Sequence, residues 1–226
     1  MTRTHRTAAR AIAAAAVAAA FLLPAGAIAA TTAEGINPFA CGSLTPPGQF
    51  GPFDYRTVSS EIKHRVEDYH FTPAVESTRG GVTSGTAGAD LDYTLRAFPN
   101  SPRALLTMSR YATRMKSERP PGVRFSAECY FERAIRFVPN DPMPPLLYAS
   151  FLKDRKRLAE ARAQLLEAER LRGDPSNFDF DYNLGLLFYD VGIYDKSLTA
   201  AKRAYALGAP LPALMNKLKS AGKWSE

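Results

Sequence analysis

Cys41, Cys129, His64 and His70 are the residues of this chain best suited to chemistry, and their spacing argues against a catalytic or metal-binding set. His64 and His70 are six residues apart and project to different faces of one helix. The four-residue step that lets two imidazoles share a zinc ion is missing. Asp68 follows His64 by one turn, and Glu67 and Glu76 are close in sequence. An enzyme built on this chain would draw on those residues, but a solvated helix face accounts for them as well. Asp90 and Asp92 suit a helix N-terminus, which favours acidic side chains. Gly80-Gly81-Val82-Thr83-Ser84-Gly85 has the glycines of a phosphate cradle without the following Lys, and no Gly-x-Ser-x-Gly occurs. No catalytic residue, metal ligand or cofactor is therefore expected. Neither cysteine has a neighbouring His that would mark a thiol nucleophile.

The cysteines take their meaning from the N-terminus. Arg3, Arg6 and Arg10 precede an Ala-rich apolar run from Ala11 to Leu23, which Pro24 and Gly26 break before Ala27-Ile28-Ala29. This pattern predicts a signal peptide over residues 1–29, a periplasmic or secreted product, and no stable membrane insertion after cleavage. In an oxidising space a Cys41–Cys129 disulfide is expected, pinning the N-terminal segment to the rest of the chain and contributing about 2–4 kcal/mol. Cleavage removes three of the 29 Lys+Arg and none of the 22 Asp+Glu, so the net charge falls from +7 to +4. The remaining basic clusters, Lys153–Arg157 and Arg170–Arg172, have acidic residues in or beside them, which suits solvated helix faces and argues against nucleic-acid binding.

The elements that would position these residues are helical. Residues 30–89 read as an N-terminal arm, rich in Pro and Gly at first and then carrying short helices. Val58, Ile62, Val66 and Tyr69 recur at helical steps. Thr72-Pro73 opens a second helix and Gly80-Gly81 closes it, leaving a loop over Gly81–Ala89. Residues 90–226 repeat themselves. Ala127, Phe131 and Ala134 are followed by Ala161, Leu165 and Ala168, then by Ser197, Ala201 and Ala204, at spacings of 34 and 36. Pro99-Asn100-Ser101-Pro102 matches Pro139-Asn140-Asp141-Pro142 forty residues later. The extra length falls in an enlarged turn at Glu118–Gly122. Such periods predict stacked helical hairpins.

These residues resemble the tetratricopeptide repeat. The last copy carries Leu184, Gly185, Phe188, Gly192, Tyr194, Ser197, Ala201, Ala204 and Pro210. The middle one carries Tyr148, Ala149, Leu152, Leu158, Ala161, Leu165, Ala168 and Pro175. The first carries Met108, Ser109, Ala112, Ala127, Phe131, Ala134 and Pro139. Asp90–Pro99 looks like half of a further repeat, and the mature chain looks similar to small exported repeat proteins of Gram-negative bacteria. The resemblance implies an all-α fold, a short α-helical solenoid of about three hairpins, with a capping helix after Pro210 whose face is Leu211, Leu214 and Leu218. It also implies that the first helix of each pair lines a groove for a peptide or protein partner. The groove residues would be Arg110, Tyr111, Leu146, Ser150, Lys153, Asp154, Tyr182, Leu186, Tyr189 and Asp190. Tyr182 and Tyr189 could instead pack against the capping helix. A non-catalytic interaction module is the function so implied. A structural subunit of an envelope secretion or polysaccharide-export assembly is the alternative, and an enzyme accessory acting through the arm is another.

Overall fold

Local signals in the sequence set the helix boundaries. The computed structural model describes residues 41–173 and 178–225, together with Met1. The expected signal peptide, and Pro175, lie outside the described residues. Among the described residues there are ten α-helices and no strand: α1 Ser60–His70, α2 Pro73–Glu76, α3 Ala87–Ala97, α4 Pro102–Met115, α5 Ala127–Phe137, α6 Met143–Asp154, α7 Leu158–Arg170, α8 Asp179–Asp190, α9 Tyr194–Ala206 and α10 Ala213–Ser220. Ser59, Thr86 and Ser126 cap α1, α3 and α5, each hydroxyl accepting a backbone N–H three residues on. Proline occupies the first turn of α2, α4 and α6, where its missing N–H costs nothing. The loop before α3 is shorter than expected because Thr86 already caps the helix.

Helices α6 and α7 form one close pair and α8 and α9 another, while α4 packs on α6 and α6 on α8. The repeat extends to backbone detail. After α4, α6 and α8 the chain turns through a left-handed residue: Lys116 at φ 50°, Lys156 at φ 63° and Gly192 at φ 79°. The next N–H then reaches back to the helix, from Ser117 to Ala112 O at 3.1 Å, Arg157 to Leu152 O at 3.0 Å and Ile193 to Phe188 O at 2.8 Å. Glycine adopts this conformation freely, whereas the two lysines adopt it at a cost of about 1 kcal/mol each. All nine residues of the recurring small–apolar–small pattern have zero exposure. Small side chains at these positions let the paired backbones approach closely. In the last pair Ser197 Oγ donates to Gly185 O at 2.8 Å, joining α9 to α8.

The N-terminal segment lies over the matched turns. Phe53 N–H donates to Ala97 O at 2.8 Å, and Phe53 and Tyr55 pack on the fully buried Phe98. Asn100 joins the layers: its Oδ1 accepts from Tyr55 N, and its Nδ2 donates to Asp54 at 2.8 Å and Asp141 at 2.9 Å. One Pro-Asn-x-Pro turn thus grips both the arm and the second such turn. Tyr69 departs from the expected apolar face of α1 and is 60% exposed, while Val66 is buried. At the other end Leu214 and Leu218 of α10 are fully buried with Tyr182, Ala201 and Ala204. Leu211 precedes that helix and is exposed. The described residues from 41 onward belong to one compact unit.

Candidate functional site

The residues expected to face a groove separate by burial. Arg110, Asp154 and Asp190 are exposed; Ser150, Lys153, Leu186 and Tyr189 are half-buried. Tyr111, Leu146 and Tyr182 are buried. The Tyr111 hydroxyl donates to Pro121 O at 3.1 Å in the enlarged turn after α4. Tyr182 packs against α10, the second of the two positions open to it in the sequence. The polar residues converge at the α6–α8–α10 end. Lys153 Nζ lies 3.3 Å from Asp154 and 3.4 Å from Asp190. Lys217 of α10 meets the other oxygen of Asp190 at 2.8 Å and sits 5.0 Å above the Tyr189 ring. Four charges and an aromatic ring from three helices form one strip. Lys217 reads in sequence as a helix C-terminal charge, and only the docking of α10 brings it here.

No family model matches the chain, and no curated protein matches it.

The five acid and imidazole residues near the N-terminus disperse. His64 and Asp68 form an exposed pair at 3.6 Å. Glu67 accepts from the Tyr55 hydroxyl, and Glu76 pairs with Arg103 at 2.6 Å. His70 instead meets Asp90, twenty residues away, with Nδ1 2.8 Å from a carboxylate of zero exposure. Its ring stacks on Tyr93 at 3.9 Å. Asp90 also accepts the backbone N–H groups of Val82 at 2.7 Å, Thr83 at 3.2 Å and Ser84 at 2.9 Å. Burial alone would raise its carboxyl pKa, but the hydrogen bonds from Ser84, His70 and Val82 outweigh that and hold it below the usual range. Among the described residues no hydroxyl or thiol hydrogen-bonds the outer imidazole nitrogen. The visible work of the His70–Asp90 pair is to fasten the 82–84 loop to α3. Sequence spacing gave no sign of it.

Cys41 and Cys129 are joined in a disulfide across 88 residues, with Cα atoms 5.1 Å apart. Arg133, only 1% exposed, points its guanidinium at the same segment. Its Nη1 donates to Cys41 O at 2.9 Å and Ser43 O at 2.8 Å, and its plane lies 4.6 Å from the Phe125 ring centre. Arg136 Nη2 donates to Gly42 O at 3.2 Å. Glu132 Oε2 lies 2.7 Å from Cys41 Sγ. Burial pushes the Glu132 carboxyl pKa up, and the nearby Glu128 pushes it further. Cys41, Cys129 and Glu132 are close enough together to hold a metal ion, but in this structure the two sulfurs are bonded to each other.

Proposed function

We propose that this chain is an exported tetratricopeptide-type protein, a short solenoid whose first-helix face holds a protein or peptide partner without catalysis. The observation that carries the reading is the repetition itself. Helices α4, α6 and α8 end in one left-handed turn geometry, and the three small–apolar–small sets are all fully buried. Repeats of this kind leave an extended polar face, because each pair buries its apolar surface only against its neighbours. The Lys153–Asp190–Lys217 strip supplies charge, and Tyr189 supplies contact area. The disulfide suits an oxidising compartment. No helix among the described residues is long and apolar enough to cross a membrane.

The test is in-cell photo-crosslinking from Ser150, on the proposed binding face, and from Lys202, exposed on α9. A partner captured from position 150 and lost on Lys153→Glu is the expected result. Identical products from both positions, or no product from position 150, would overturn the reading.

A further inference from the structure

We propose that the Cys41–Cys129 bridge is a thiol–disulfide exchange site for small-molecule thiols, in which an external thiolate attacks Cys129 and Glu132 delivers a proton to the departing Cys41 sulfur. The inference goes beyond partner binding and does not depend on it. Three observations carry it. The sulfurs are unequal: Cys41 is 3% exposed, whereas Cys129 is partly exposed in the first turn of the eleven-residue α5. A buried thiolate is disfavoured, so Cys41 needs a proton as it leaves; Cys129 near a helix N-terminus is the better thiolate. Glu132 stands one turn after Cys129 with Oε2 2.7 Å from Cys41 Sγ, within reach of that transfer. Finally, Arg133 and Arg136 hold the carbonyls of Cys41, Gly42 and Ser43 independently of the bridge, so the sulfurs stay adjacent when it opens.

The step balances without another reactant. The thiolate sulfur bonds to Cys129 Sγ while the Cys129–Cys41 bond breaks, its electron pair passing to Cys41 Sγ. The Glu132 carboxyl proton moves to that sulfur. A mixed disulfide on Cys129, a Cys41 thiol and a Glu132 carboxylate result. A second thiolate attacks the outer sulfur of the mixed disulfide, releasing the oxidised small-molecule disulfide and a Cys129 thiolate. Two thiols have been oxidised and the bridge reduced by two electrons. The raised Glu132 pKa favours the protonated form that this route needs. The charges facing Glu132 are Glu128 and Arg136 on α5 and Arg157 at the start of α7, with Arg157 hydrogen-bonded to Glu128 at 2.9 Å.

The experiment follows bridge opening by reduced glutathione across pH, with rates expressed per glutathione thiolate. In the wild type this rate falls about tenfold or more as Glu132 loses its proton. In Glu132→Gln it is flat and matches the wild-type high-pH limb. A flat wild-type profile, or a fall retained in Glu132→Gln, overturns the proposal. The wild-type profile stands alone if the variant does not fold. Peptide mass of the trapped intermediate gives a second check: glutathione on Cys129 supports the assignment, and glutathione on Cys41 overturns it.

Discussion

Replacing Asp54 by Asn should remove a defined part of the acid dependence of folding. Asp54 is held by Arg56 Nη2 at 2.7 Å and by Asn100 Nδ2 at 2.8 Å. The hydrogen bonds from Arg56 lower its carboxyl pKa most, burial opposes them, and Asn100 adds to the lowering, so that it falls from 3.8 to about 2. At about 1.4 kcal/mol per pH unit this gap sets a ceiling of roughly 2.5 kcal/mol. The Arg56 side chain is 40% exposed and the Asp54 side chain 23%, so solvent screening leaves about 1 kcal/mol. The sign follows from the depressed folded-state pKa. The stabilisation is fully present above 3.8 and is lost as the pH falls towards about 2. Urea unfolding of wild type and Asp54→Asn between about pH 6 and pH 2 measures the effect. The wild type should be the more stable at the upper end, and the two should converge through the window. The other carboxylates titrate in both proteins, so the difference isolates Asp54. A difference that stays constant down to about pH 2 would refute the linkage argument.

Five further outcomes are expected. Cys129→Ser opens a closure of 88 residues and should cost about 4 kcal/mol, read as a lower urea midpoint that matches the reduced wild type. Gly88→Ala gains about 1 kcal/mol of helix propensity, but its Cβ would lie 2.0 Å from Pro121 O, so a net loss of about 1–2 kcal/mol is expected. Gly185→Ala meets the movable end of Leu214 at 2.6 Å and should stay within about 1 kcal/mol of wild type in the same assay. Lys156→Gly relieves a left-handed backbone and should raise stability by about 1 kcal/mol in urea unfolding. His70→Ala removes one partner of Asp90 and should speed amide exchange at residues 82–84 roughly fivefold, with the α8–α9 amides unchanged.

What could be read early depended on the range of the interaction. Thr72-Pro73, the twin Pro-Asn-x-Pro turns and the triplets ending at Ala134, Ala168 and Ala204 act within one or two helical turns, and helices with fully buried triplets formed where they stand. Tyr69 fitted the same periodicity and still faces out, because α1 packs on α3 through a narrower strip. Asn100 looked like a turn residue, and its second task, bridging Asp54 and Asp141, depends on two segments that meet only in the fold.

By itself the sequence determined the helical class and the recurring small–apolar–small spacing, since periodicity, capping and proline placement are local and survive without a partner surface. The tertiary structure alone decided which charges share a strip, that Asp90 receives His70 and the 82–84 loop, that Tyr182 belongs to the cap, and that Glu132 stands over Cys41. Each of those depends on how helices distant in sequence dock, and docking follows from the summed burial of many apolar contacts that no short stretch of sequence specifies.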